Sequence, residues 1–227
     1  MKFDPNIKPV YRDAIEEAVS VVIEKGNPGH VETAKCIRDS DVNISFVPLA
    51  EINCSGITGL VNAKATNRRI RSETLDLMEA LGEVYITFSD WTYDVAGQRG
   101  CQGTIVHEGL HACDFAKIIS TYSNADAEPL ELFDLTLYEL EHRAAVASGE
   151  YVLLIGKDDY IDDGLKLNLL SIGADGKPYV DLEAIKIRMQ DGYGLNENEQ
   201  GTLISKMIGV KQKDETFSLL GMLGFGR

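Results

Sequence analysis

Cysteine is scarce in this 227-residue chain: Cys36, Cys54, Cys101 and Cys113 are all there is. None forms a C-x-x-C pair and the spacings are irregular. A disulfide framework therefore has no support, and buried free thiols are expected. No stretch approaches the ~18 consecutive apolar residues of a membrane span. The first residues, MKFDPNIKPVYRDAIEEAV, carry charge throughout and two prolines, and lack the apolar run of a signal peptide. A soluble, cytoplasmic protein is expected, although a secreted form with its leader removed would read the same. Positive charge is also short: 22 Lys plus Arg stand against 36 Asp plus Glu, a net charge of −14. So acidic a chain repels phosphate backbones and anionic membrane surfaces, so neither nucleic acid nor membrane is an expected partner. The one dense basic stretch, Lys64, Arg68, Arg69 and Arg71, is too small to reverse that field and reads as a solvated loop. There is no internal repeat and no low-complexity segment.

What is present suits one generous domain or a domain with a small appendage, since 44% of residues are apolar. Val10 to Glu24 has helical spacing, and His30 to Arg38 suggests a short second helix. His30 itself, near a helix start, reads as a surface residue. Asp41 to Leu49 alternates as a strand, Gly56 to Asn62 is a second strand, and Glu83 to Phe88 a third. Between them Ser72 to Leu81 reads as a helix with Ser72 as its cap. Ser89 to Gly103, with three glycines, reads as a loop before a helix from Thr104 to about Ser120. A linker from Thr121 to Pro129 leads to a long helix from about Leu130 to Ser148. Tyr151 to Ile155 is short and apolar. Ala174 to Pro178 is a turn, Asp181 to Met189 and Glu197 to Ile208 look helical, and Phe217 to Arg227 is a glycine-rich apolar tail.

The chemistry-bearing stretch is Thr104-Ile105-Val106-His107-Glu108-Gly109-Leu110-His111-Ala112-Cys113-Asp114. It holds H-E-x-x-H. Residues four apart lie one turn apart on the same face of a helix, so His107 and His111 can direct two imidazoles at one ion. Zinc accepts such nitrogens tetrahedrally and leaves a position for water in catalytic sites. Glu108 is then placed to take a proton from that water. Three fixed positions recur by chance, so the flanks must decide. Ile105, Val106, Gly109, Leu110, Ala112 and Cys113 are all uncharged, as a buried active-site helix requires. Gly109 costs about 1 kcal/mol of helix propensity against alanine, tolerable where a neighbour approaches closely. Asp114, one turn past His111, could orient a ligand imidazole or lie on the surface.

On these residues the chain resembles the zincin metallopeptidases, over about residues 42 to 150. The resemblance implies an α+β fold, with a small mostly antiparallel sheet packed on the H-E-x-x-H helix and on a second, ligand-bearing helix. The zincin-like domain would span residues 1–150, and residues 151–227 would form a mixed, mainly helical extension packed on it or continuous with it. It also implies that Glu83 to Phe88 is the edge strand that binds an extended peptide. The metzincin branch is excluded, because Asp114 stands where its glycine belongs and Lys117 where its third histidine belongs. The gluzincin-like arrangement implies a glutamate ligand on a later helix, where Glu131, Glu139, Glu141 and His142 are candidates. Glu141 has Leu137 and Tyr138 one turn before and Ala144 and Ala145 one turn after. A buried carboxylate on so small-residue a face makes sense beside a metal. It ranks ahead of Glu139, then His142.

The function implied is a zinc-dependent metallopeptidase with a peptide or protein substrate. Zn2+ would be held by His107, His111 and Glu141, with Glu108 as general base. The alternatives are a non-catalytic zinc-binding structural or partner-binding module, and a zinc amidase acting on a cell-wall peptide. Tyr138, His142, Arg143 and Tyr151 are equal candidates for the donor that stabilises an oxyanion. Trp91 and Tyr93 read as packing residues or as cleft lining.

Overall fold

The computed structural model describes residues 1–124 and 132–212. In chain order the elements are β1 (Lys2–Phe3), α1 (Pro9–Lys25), α2 (Pro28–Asp39), β2 (Asn43–Val47), a single turn α3 (Leu49–Ile52), β3 (Gly56–Leu60), α4 (Ala63–Ser72), α5 (Leu77–Leu81) and β4 (Val84–Ser89). There follow α6 (Asp90–Asp94), α7 (Gly97–Ser123), α8 (Leu137–Ile155), α9 (Asp158–Lys166), β5 (Leu170–Ile172), β6 (Pro178–Val180), α10 (Leu182–Tyr193) and α11 (Ile204–Ile208). The candidate ligand Glu131, the expected helix start at Leu130 and the tail from Phe217 to Arg227 lie outside the described residues.

The α+β class holds, but the sheet is not mostly antiparallel. Its order is β1-β2-β4-β3. β1 with β2 and β2 with β4 are parallel; only β3 with β4 is antiparallel. The connections explain this. α1 and α2 lie between β1 and β2, and helical crossovers of that length return the chain parallel. β4 is therefore an interior strand, and β3 is the edge beside it. The expectation that Glu83 to Phe88 forms the edge is corrected.

α1 and α2 follow their patterns. α1 buries Tyr11, Ala14, Ile15, Ala18, Val19 and Val22 as one stripe, with Pro9 in its first turn. His30 is not a surface residue. Asn27 Oδ1 accepts from the His30 amide, and His30 Nδ1 accepts from the Asn27 amide, a capping box built with histidine. Nδ1 being an acceptor leaves Nε2–H to donate to the Ala147 carbonyl at 2.9 Å, which ties α2 to α8.

Several boundaries moved for identifiable reasons. The basic stretch forms α4, whose cap is Asn62, accepting from the Ala65 amide. Only Thr66 and Ile70 of that helix are buried, so it has too little apolar pattern to read. Arg69 bridges Glu73 and Glu83 rather than standing free. Ser72 ends α4, and Asp76 caps α5 through the Glu79 amide. The glycines of 97–103 do not make a loop. At Gly100 a side chain would collide with the Thr92 carbonyl, so glycine lets α6 seat against α7. Gly149 likewise does not end α8, because Val180 of β6 fills the space where its side chain would go. The helix runs on to Gly156, which closes it in the left-handed conformation. Of Glu197 to Ile208, only Ile204–Ile208 is helical; Asn196 instead caps a turn through the Asn198 and Glu199 amides.

The main core joins the sheet, α1, α2 and α7, and it takes in Tyr151, Tyr160, Ile204 and Val210 from beyond residue 150. A second cluster under α8 and α10 contains Tyr138, Ala145, Ile185, Met189 and Leu195. α8 spans the 150/151 boundary and belongs to both. Among the described residues no helix is long and apolar enough to cross a membrane.

Candidate metal centre

α7 is the spine of the site. Cys101, Ile105, Ala112, Phe115, Ala116, Ile118 and Ile119 are buried along it, so it runs through the interior as its uncharged flanks require. His107 and His111 stand one turn apart, their rings edge to face with centroids 4.6 Å apart. The His107 side chain is partly open, and that of His111 is buried.

α8 crosses α7 and brings Glu141 to both rings. Ala144 and Ala145, one turn on, are both buried, and Ala145 packs in the second cluster with Ile185 and Met189 of α10. Glu141 Oε2 lies 3.5 Å from His107 Nε2, and Oε1 lies 3.6 Å from His111 Nε2. Both distances exceed a hydrogen bond. They suit two ligands of one ion, since bonds of 2.0–2.1 Å in a tetrahedron set ligand atoms ~3.3 Å apart. One ligand atom from each of the three residues falls within 4.8 Å of the others. Both ring nitrogens of His111 are buried without a hydrogen-bond partner among the described residues. Nε2, an orphaned nitrogen facing the Glu141 carboxylate, is what a cation would satisfy. Burial alone would push the Glu141 carboxyl up, but the two imidazoles outweigh it and hold it well below the usual range.

Glu108 turns towards the sheet. Thr58 Oγ1 donates to its Oε2 at 2.8 Å and lies 3.1 Å from its carbonyl oxygen. Gly56 makes that contact attainable: a side chain there would stand 2.6 Å from Thr104 Cγ2 and 3.0 Å from Glu108 Cγ. β3 thus lies against the turn of α7 that carries Glu108. The other edge of β3 is unpaired among the described residues.

No family model, no curated protein and no solved structure matches this chain. The site must therefore be judged on its own geometry.

The runners-up are occupied elsewhere. Glu139 closes a capping box at the start of α8, accepting from the Thr136 amide at 2.8 Å. His142 stacks on Tyr138, and its buried Nε2 has no hydrogen-bond partner among the described residues. Asp114 is buried, not a surface residue. Arg143 donates to its Oδ1 at 3.1 Å, while Oδ2, like His111 Nδ1, has no partner among the described residues. Burial raises the Asp114 carboxyl.

None of the four candidate oxyanion donors is directed to the site by its contacts. Tyr138 packs in the second cluster, Arg143 holds Asp114, and Tyr151 donates to Gln102. Tyr93 packs edge to face on Tyr11, and Trp91 is partly exposed. The residue that does reach the centre is Tyr193, the last of α10. Its hydroxyl donates to Glu141 Oε2 at 3.0 Å. Burial raises its phenol, and the charges of Glu141 and then Glu108 raise it further. No local motif marks Tyr193, 52 residues beyond its partner. Gly56 does carry a signal, since glycine inside a strand denotes a close approach, here to Thr104 and Glu108.

Proposed function

We propose that this chain is a zinc-dependent metallopeptidase, with Zn2+ held by His107, His111 and Glu141 and with Glu108 as general base. The observation that carries the reading is the convergence of two imidazoles and one carboxylate at ligand spacing, beside a glutamate oriented by Thr58. When bound, the ion would polarise a substrate carbonyl and lower the pKa of water.

The chain's own groups then have distinct tasks. Glu108 takes the proton of the attacking water and returns it to the leaving amine. Thr58 engages one carboxylate oxygen, and the other would take the proton. Tyr193, donating to Glu141 when substrate is absent, can turn its hydroxyl to the charge that develops on the scissile carbonyl oxygen. The free edge of β3 offers backbone groups to which an extended peptide adds as a further strand, next to Glu108.

The test is metal content by mass spectrometry followed by a peptide-library digest. Wild type should hold about one zinc per chain and cleave peptides; Glu108→Gln should hold the zinc and lose cleavage. Zinc in both proteins with cleavage in neither would favour a zinc-binding module. Zinc in neither would end the metal reading.

A further inference from the structure

Away from the metal centre, α2 and α7 pack side by side and close at Gly109. A side chain at that position would meet Thr33 Cγ2 at 3.2 Å and Ile37 Cγ1 at 3.5 Å. Cys113 lies one turn beyond Gly109 on α7, and Cys36 lies between Thr33 and Ile37 on α2. Both thiols therefore stand at the seam between α2 and α7, near enough that each shifts the other's ionisation. Both line a cavity of about 780 Å³, whose wall also includes Asp114, Lys117 and Arg143. Neither is sealed in the core, unlike Cys101.

We propose that Cys36 and Cys113 are a peroxide-reactive pair that closes a reversible disulfide between α2 and the helix bearing His107 and His111. The Cys36 sulfur attacks one oxygen of hydrogen peroxide. The O–O bond breaks, hydroxide leaves, and Cys36 becomes a sulfenic acid; peroxide is reduced and the sulfur oxidised by two electrons. Cys113 then attacks the sulfenyl sulfur, the S–O bond breaks, and water departs with the Cys113 proton, leaving an S–S bond. Cys36 suits the first role because it is partly exposed on the cavity wall and the Cys113 thiol beside it lowers its own, against the opposing effect of burial. Cys54, though more exposed, is raised by burial and by the Glu108 charge, and burial pushes Cys101 up to about 12.

The test uses the reduced full chain with a few equivalents of hydrogen peroxide, then iodoacetamide, digestion and mass spectrometry. The expected product is a Cys36–Cys113 cross-linked peptide lacking two hydrogens, reversed by dithiothreitol, and formed before Cys54 is oxidised. Cys113→Ser should leave a sulfenic acid at Cys36 that dimedone traps, and Cys36→Ser should leave Cys113 alkylated. Both cysteines alkylated in wild type after peroxide, or Cys54 oxidised first, would overturn the proposal. So would sulfinic acid at Cys36 without a cross-link. The wild-type measurement decides even where a variant fails to fold.

Discussion

His111 Nε2 stands 3.6 Å from Glu141 Oε1, too far to share a proton well and close enough to share an ion. The same carboxylate reaches His107 through its other oxygen. Removing any of the three should cost the metal. His107→Ala, His111→Ala and Glu141→Ala should each purify with substoichiometric zinc. Glu139→Ala should keep zinc and lose only a helix cap, worth ~1 kcal/mol. Zinc retained by Glu141→Ala but lost from Glu139→Ala would sink the assignment.

The Thr58 contact predicts a graded series at the base. Glu108→Gln should lower kcat by ~10²–10⁴-fold, the range of a general acid–base group. Thr58→Val removes one hydrogen bond to a charged oxygen, worth ~1.5–3 kcal/mol, so kcat should fall by roughly 10- to 100-fold. KM and zinc content should stay near wild type in both. A KM effect without a kcat effect would mean that Thr58 binds substrate rather than orienting Glu108.

How much of this was legible beforehand follows from where the information resides. His107, Glu108 and His111 share one helix, so three letters at fixed spacing place them. The burial of the α8 face that carries Glu141 has a local sign in the small residues Ala144 and Ala145, a property of α8 alone. Thr58 and Tyr193 belong to the site only through tertiary packing. Strand direction was illegible for the same reason: alternation in β2 and β4 is identical whether they run parallel or antiparallel, and the intervening helices decide. α4 escaped because Arg69 and its acidic partners stabilise a helix that buries almost nothing.

Gly56 offers a test of the seat between β3 and α7. Gly56→Ala would press a methyl into Thr104 and Glu108, and overpacking of this kind costs ~1–3 kcal/mol. Thermal unfolding should show the loss. Activity should fall beyond what the stability loss explains, because the displaced atom is Cγ of the base. Gly103→Ala, with open space around it inside α7, should leave activity unchanged and raise the thermal midpoint, since alanine exceeds glycine in a helix by ~1 kcal/mol.

Tyr193 separates a donor from a prop. Tyr193→Phe at saturating zinc should lower kcat by ~10²–10³-fold, as the loss of one oxyanion donor does, with little change in KM. Its bond to Glu141 also orients a ligand, so zinc affinity should weaken by ~10- to 100-fold, read by competition with a chelator. Weaker zinc with unchanged kcat would reduce Tyr193 to a support for Glu141.

Metal-free and zinc-loaded protein should answer pH with opposite signs. Burial pulls the His111 imidazole down, but Glu141, aided by Glu108 and Asp114, outweighs it and the imidazole is raised. A raised histidine contributes stability that is full below its unfolded value, about 6.5, and is lost as pH rises through the folded value. The depressed Glu141 carboxyl contributes above its unfolded value, about 4.3, and loses that contribution as pH falls through the folded one. The thermal midpoint in chelator should therefore be highest between about pH 4.5 and 6.5 and decline towards pH 8. Zinc needs neutral imidazoles and competes with protons for them, so in excess zinc the midpoint should rise over that upper range. Scanning calorimetry with and without chelator reads both curves. Parallel curves would mean that no ion competes with the proton of His111.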